Sequence, residues 1–404
     1  MPTSLDRIAS IRHPSSGSIL RMHTPGRTAI VAAITGLACV LAACGGDDSP
    51  DAGGETTTTR YSTEGPGQTS QPPTTTPTTA PTTTQATPDP PSRPITIAFA
   101  GDVHFESFLA ATLAHPRTAM GPMARLLANA DLSIVNLETA ITTRGTPEPK
   151  EFRFHAPPSA LVALKAAGVD VATMANNHGL DYGPVSVPDA LVASAAVDMP
   201  VIGIGRDAAR AYAPWIVTSH GQRVAFLAAT AVMDPPLVDS WSATATQPGL
   251  ATALDGDNAR IVAAVKKVRP HVDTVVVDLH YGSDLLTCPT EIQRNLADDL
   301  VAAGADVVVG QHAHVVLGGG YLGSAYVDFG LGNFQFYVSN DSPTSETGVL
   351  VLTVDGRTVT HPRWVPGQIV NGLPTALAGG EAAAAHDHWA SLRACGGLTD
   401  RPTR

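Results

Sequence analysis

The chain has 404 residues, enough for two or three average domains or one sizeable core. Its 25 basic and 36 acidic residues leave a net charge of −11, which excludes a general nucleic-acid binder because nothing would neutralise the phosphates. Four cysteines exclude a disulfide-dense scaffold, and 37 glycines without a Gly-X-Y period exclude a collagen-like chain.

Arg21 and Arg27 precede an apolar run, Ala29 to Ala43, interrupted only by Thr35 and Gly36. The run is shorter than the roughly 20 residues of a membrane-spanning helix and fits the apolar region of a signal peptide. It ends in Leu41-Ala42-Ala43-Cys44, followed by Gly45 and Gly46. Small residues before a cysteine resemble the bacterial lipobox, in which the cysteine is lipidated and becomes the mature N-terminus. Residues 1–43 therefore read as a lipoprotein-type signal peptide, with Cys44 the lipidation site. An ordinary signal peptide or an uncleaved anchor is the alternative reading. Met22 is a second candidate start beside Met1, and it would leave a compact basic segment. From Cys44 onward 21 basic and 35 acidic residues remain, a net of −14.

Residues 44–94 read as a disordered tether. Thr56 to Ser92 holds 15 Thr and 8 Pro in 37 residues, too little apolar surface to offset the entropy of ordering. Proline keeps such a segment extended, with a reach on the order of 100 Å.

From Ile95 onward, apolar runs alternate with amphipathic stretches. Strands are expected at 95–100, 132–135, 169–174, 201–204, 224–228, 274–279 and 307–309, and helices at 159–167, 190–196, 258–268 and 290–303. Alternation of this kind predicts an α/β domain, here one domain spanning 95–404. Near the end, 348–354, Asp355-Gly356 and 358–365 predict a β-hairpin. Gly318-Gly319-Gly320 reads as a flexible hairpin turn.

Five polar clusters each follow an apolar run. They are Gly101-Asp102-Val103-His104, Asn136-Leu137-Glu138, Ala175-Asn176-Asn177-His178, Asp278-Leu279-His280-Tyr281-Gly282 and Gly310-Gln311-His312-Ala313-His314. Carboxyl ends of strands are where open α/β sheets bind ligands. Carboxylates bridge hard divalent ions and imidazoles suit Zn, Fe, Mn or Ni. Side chains two apart in Asp102-Val103-His104 and His312-Ala313-His314 share a direction if extended, so each pair addresses one ion. One or two divalent ions are expected, with Mn, Fe or Zn suiting the donor set. Asp181-Tyr182-Gly183 reads as a turn that orients Asn177 and His178, and Asn333 as a residue that fixes a loop.

These clusters, together with Val315 and Leu331-Gly332-Asn333-Phe334, resemble the ordered motifs of the bacterial capsule-synthesis protein CapA family, associated with poly-γ-glutamate capsules. The resemblance covers about Ile95 to Pro366. It implies a four-layer α/β/β/α sandwich similar to calcineurin-like metallophosphoesterases. It implies Asp102, His104, Glu138, Asn177, His280, His312 and His314 as metal ligands, with Glu138 in place of the usual bridging aspartate, and His178 as the catalytic proton donor or phosphate contact. Two departures stand out: Gln311 occupies a position where many relatives carry His, and Tyr281 replaces a frequent Trp as an aromatic wall.

Outside the cytoplasm thiols pair, so Cys288 and Cys395 are expected to form a disulfide pinning the C-terminal segment. The expected function is that of a surface-anchored, lipid-tethered extracytoplasmic protein of capsule, poly-γ-glutamate or related envelope-polymer synthesis. Its expected partners are the anionic polymer or its synthesis and export machinery, with no nucleic acid. The alternative is a metal-dependent hydrolase of phosphoester or amide bonds not tied to capsule synthesis. An acidic domain repels a polyanion unless a metal or a local basic patch intervenes. Few of the site clusters bring Lys or Arg, and Arg153 is the nearest candidate.

Overall fold

The computed structural model describes residues 92–254 and 257–403. The signal segment 1–43, Cys44 and all but the last three residues of the 44–94 tether lie outside the described residues. Among the described residues no helix is long and apolar enough to cross a membrane.

The chain begins one sheet, builds all of a second, and returns to finish the first. The first half of sheet one is β1 (Ile95–Val103), β2 (Leu132–Leu137), β3 (Val171–Thr173) and β4 (Val201–Ile202), with α1 (Ser159–Ala166) and α2 (Ser186–Val197) as crossovers. Sheet two follows: β5 (Trp215–Ser219), β6 (Gln222–Thr230), α3 (Ala259–Val268), β7 (Thr274–Tyr281), α4 (Glu291–Ala303), β8 (Val307–His312), β9 (Gly319–Leu322) and β10 (Ala325–Asp328). The chain then adds β11 (Asn333–Gln335), β12 (Glu346–Asp355), β13 (Thr358–Val370) and β14 (Leu373–Ala376) to sheet one, and ends in α5 (Gly379–Leu392). Strand order is β14-β13-β12-β1-β2-β3-β4, with β11 beside β1, in sheet one. In sheet two it is β9-β10-β8-β7-β6-β5.

The strand alternation of side chains accounts for four layers. Along β1, Ile95, Ile97 and Phe99 pack with Phe226, Val276 and Val309 of the other sheet. Ala98, Ala100 and Val103 turn the other way, toward Leu161, Leu164 and Val187 of α1 and α2. In β7, Val275, Val277 and Leu279 meet Ile261 and Val265 of α3 and Leu296 and Leu300 of α4. Strands buried on both faces are continuous apolar runs, which is why they were visible in the sequence. The parallel ladders β1–β2–β3 and β6–β7–β8 bring the carboxyl ends of both sheets into play. Helix α4 starts as its sequence dictates, with the Thr290 hydroxyl accepting from the Gln293 amide at 3.2 Å and Gln293 Oε1 accepting from the Thr290 amide at 2.9 Å.

Two segments differ from the reading above. Gly319 and Gly320 belong to β9, not to a turn; a Cβ on Gly318 would lie 2.3 Å from the Arg393 nitrogen, so the small residues let the C-terminal segment close over the strand. Helix α5, which sequence periodicity did not announce, is alanine-rich and docks through Trp389. Its indole stacks on Trp364 with centroids 5.6 Å apart and donates to the buried Asp328 carboxylate at 3.3 Å. Beyond α5, Cys395 is bridged to Cys288 with Cα atoms 5.6 Å apart. The bridge ties the segment after β7 to the tail and closes a loop of 107 residues. Chain-entropy arguments put such a loop at about 4.7 kcal/mol. Cys395→Ser is therefore expected to lower Tm by roughly 5 °C or more, read by calorimetry without reductant. An unchanged Tm would show that the bridge does not hold the tail.

Candidate metal centre

The site begins with a close backbone approach. A Cβ on Gly101 would lie 1.8 Å from the Gly332 carbonyl, so only glycine lets that loop settle on β1. The Asp102 amide then donates to Gly332 O at 3.0 Å, and Asn333 falls in register beside Asp102. Asp102 is fully buried at the end of β1. Its Oδ1 accepts from Asn136 Nδ2 at 2.7 Å, and its Oδ2 accepts from the His312 backbone amide at 3.2 Å, a contact between the two sheets. Asn136 Nδ2 also lies 3.0 Å from His280 Nδ1, and Asn136 Oδ1 accepts from Asn176 Nδ2 at 2.9 Å. This run of amides joins the ends of β1, β2, β3, β7 and β8.

Glu138 sits in the middle. Its carboxylate is fully buried, and neither oxygen has a hydrogen-bond partner. Oε1 lies 3.5 Å from His280 Nε2, 3.9 Å from His178 Nε2 and 4.0 Å from His314 Nε2. Three groups of donor atoms lie within 4.8 Å of one another: Glu138, His280 and His312; Asp102, Glu138 and His314; Asp284, His312 and His314. Glu138 is shared by the first two. Asn177 Oδ1 is 2.7 Å from His280 Nε2, at the edge of the first group.

His178 stands beside these groups. Its Nδ1 lies 2.5 Å from Asp181 Oδ2, which also accepts from the Phe154 amide at 2.6 Å. Its ring stacks on Phe154 with centroids 4.1 Å apart. With Nδ1 held by Asp181, Nε2 is the nitrogen turned toward Glu138. Behind Asp181, the largely buried Lys150 ammonium lies 3.0 Å from Asp181 Oδ1 and 3.0 Å from Asp234 Oδ2, donates to the Asn177 carbonyl, and covers the Trp241 ring.

The comparisons with known proteins bear on this arrangement. The model of the bacterial capsule synthesis protein PGA_cap family matches residues 96–338, which contain every residue of the cluster. The chain belongs to the PGA_cap family. It is 32% identical over 188 residues to the capsule biosynthesis protein CapA of Bacillus anthracis, covering 46% of this chain and 45% of that protein. It is 30% identical over 190 residues to the PGA biosynthesis protein CapA of Bacillus subtilis, covering 46% and 48%. The chain thus spans about half the length of the curated relatives it matches. Among solved structures, a phosphatase of Mycoplasma pneumoniae is 14% identical with a TM-score of 0.43, covering 68% of this chain and 94% of that one.

Within the PGA_cap domain, the expected ligands do not all behave alike. His104 leaves the cluster. Its ring is clamped by Phe154, Phe336 and Tyr337, and its nitrogens face the backbone amides of Glu106 at 3.0 Å and Tyr337 at 3.3 Å. Register breaks around Asp102 and Val103 interrupt the regular extended geometry on which the shared direction of Asp102 and His104 depended. His312 and His314 are not extended either: their φ values are +90° and +56°, a costly conformation for non-glycine residues that fans both rings around the centre. Tyr281 points away into the α3–α4 core, so it is not a wall of the site; Phe154, Phe336 and Tyr337 are. Gln311 turns inward, its amide 3.4 Å from the buried Asp278 carboxylate. The cation near the site is Lys150, and Arg153 is exposed.

Sequence reasoning also missed Asp284, whose Oδ1 lies 3.2 Å from His312 Nε2 at an exposed loop tip with no periodic signal. It assigned no role to Asn136. Asn333 does fix a loop, accepting a contact from His314 Nδ1 at 2.8 Å while donating to Thr344 O at 3.0 Å.

The electrostatics fit a cation. Burial, and then the Asp102 charge, pushes the Glu138 carboxyl well above its usual range. Burial alone would lower His314, but the facing Glu138 and Asp102 carboxylates push it up to about 10. Burial, and then His314, draws His312 down to about 4, and burial with His312 and His314 holds His280 well below the usual imidazole value. Neutral imidazoles beside unpartnered carboxylate oxygens are donors that could hold a divalent ion. The unpaired Nδ1 of His312 is a further buried donor atom with nothing else to bind.

Proposed function

We propose that this PGA_cap protein is an extracytoplasmic component of poly-γ-glutamate or related envelope-polymer synthesis, anchored through a lipid on Cys44, that works through one or two divalent ions, Mn, Fe or Zn. The observation that carries the metal reading is Glu138, a buried carboxylate with two unpartnered oxygens shared by two donor groups. The polymer reading draws on the family and on the printed names of the Bacillus relatives.

Asp102, Glu138, Asn177, His280, His312 and His314 would hold the ions, with Asp284 as a further donor. A bound divalent ion supplies Lewis-acid polarisation of a carbonyl or phosphoryl oxygen. Asn136 and Asn176 keep the donors aimed, as outer partners of metal sites do. His178, fixed by Asp181, takes or gives a proton at Nε2. Phe154, Phe336 and Tyr337 keep water from that flank. A second reading is a hydrolase of phosphoester or amide bonds unconnected with capsule synthesis. The His178–Asp181 pair favours turnover of some kind, because a site that only binds needs no oriented proton carrier.

The test is elemental analysis of the purified full chain, followed by assays on γ-glutamyl oligomers and phosphodiesters. Absence of stoichiometric metal after reconstitution would end the metal reading. Cleavage of phosphodiesters alone would favour the second reading over the first. For location, Cys44→Ser is expected to shift the protein from the membrane fraction to the medium. Unchanged partitioning of that variant would show that Cys44 carries no anchor.

A further inference from the structure

The polymer reading leaves an electrostatic problem, since a chain of net charge −11 repels a polyanion. The metal cluster answers it only locally. A candidate answer at longer range lies at the β5 edge of sheet two, on residues that take no part in the metal cluster.

Strand β5 is the outer edge of its sheet and, among the described residues, pairs with β6 alone. Its free side offers unpaired backbone groups along five extended residues, Trp215–Ser219. Between β5 and α3 runs a groove of about 620 Å³. Ile216, Ala264 and Val268 give it an apolar floor, and Ile216 is 40% exposed. Arg223, Arg260 and Lys267 stand on its rim, all exposed. On the other side of β5 a second groove shares Ala213 and Pro214 with the first and adds Arg210. Among the described residues, no carboxylate lies within 4.0 Å of the charged atoms of these four side chains. The nearby acids are engaged elsewhere. Asp273 accepts from the Arg223 backbone amide at 2.7 Å, and Asp207 accepts from the Arg210 backbone amide at 2.8 Å.

Four cations without a carboxylate partner among the described residues, of which Arg260 also donates to the Ala243 carbonyl at 3.1 Å, flank a strand edge over an apolar floor, and together these suit a linear polyamide that carries a carboxylate on each repeat. Its amides pair with the strand edge, its methylenes lie on the floor, and its carboxylates reach the guanidinium and ammonium groups. We infer that the β5 edge and its two grooves form a binding track for an anionic polyamide chain, separate from the metal centre. The identity of that chain as poly-γ-glutamate rests on the reading above; the binding property does not depend on metal.

The experiment uses the full chain with fluorescein-labelled poly-γ-glutamate of defined length, followed by anisotropy in EDTA. The expected result is saturable binding that weakens as salt rises. The double variant Arg223→Glu, Lys267→Glu is expected to raise Kd at least tenfold, while Arg117→Glu, an exposed charge reversal outside the grooves, leaves it unchanged. No binding by the unaltered chain, or equal binding by the double variant, would overturn the track. Equal affinity for inorganic polyphosphate or a single-stranded oligonucleotide would overturn the polyamide assignment. A concentration-dependent dimer, abolished by the same double variant in sedimentation velocity, would assign the edge to a second copy instead. Loss of metal binding with polymer binding intact would remove the proposed metal function alone and leave the track standing.

Discussion

Glu138→Gln is expected to cost the protein its metal, with affinity falling roughly a hundredfold or more, because the substitution removes the one carboxylate shared by two donor groups. The same variant should be more stable than the parent when both are stripped of metal. A carboxyl buried without a partner must keep a proton to fold at neutral pH, which opposes folding, and glutamine of the same shape carries no such requirement. The pH dependence follows from the signs. Glu138 is raised in the folded chain, so folded protein keeps a proton that the unfolded chain releases above the ordinary glutamate value. His314 is raised to about 10, so its stabilising contribution is complete below the ordinary imidazole value and is lost as pH rises toward 10. Both terms make the metal-free domain weaken as pH rises above the ordinary imidazole value, whereas below it His280 and His312, held low by burial, act the other way. An ion that displaces those protons binds more tightly over the same range, by up to about tenfold per pH unit for each proton released. Denaturation of the chelated protein at acid and alkaline pH, beside metal titrations at the same values, measures both slopes. A flat metal affinity between pH 6 and 8 would remove Glu138 and His314 from the ligand set.

His178→Ala should do the reverse: keep the metal and lose turnover by about 10²- to 10⁴-fold on whichever substrate the hydrolysis screen identifies. The ring lies 3.9 Å from Glu138 through Nε2 and is fixed through Nδ1 by Asp181, so it can move a proton without serving as a ligand. Asp181→Asn should give a smaller loss with the same metal content, because it spoils the orientation of the imidazole and leaves the imidazole in place. Burial pushes the Asp181 carboxyl up to about 7 against the pull of Lys150, so Asp181→Asn should also alter the pH profile of turnover. Metal loss in His178→Ala would make that residue a ligand and leave the site without its proton carrier.

The clusters that could be read in advance are those whose chemistry is local. Asp102, Glu138, Asn177 and the histidines at 280, 312 and 314 each end an apolar run, and runs buried on both faces leave a strong trace in the sequence. What could not be read depends on torsions and on distant neighbours. His104 looks like a ligand beside Asp102, yet a break in register and an aromatic clamp from Phe154 and Phe336 turn it aside. Asp284 and Lys150 sit on loops, where no periodicity marks a residue that will meet the end of β8 or, for Lys150, the turn that follows β3.

The amino-acid sequence by itself determined the two-sided strands, the crossover helices, the family-bearing motifs and their order, because burial pattern and motif order are properties of short segments. Only the tertiary structure decided that Glu138 stands unpartnered between two donor groups, that His312 and His314 reach them through positive φ, and that, among the described residues, the cations beside β5 lack acidic partners. Each is set by how the two sheets bring distant segments together, which no short stretch of sequence records.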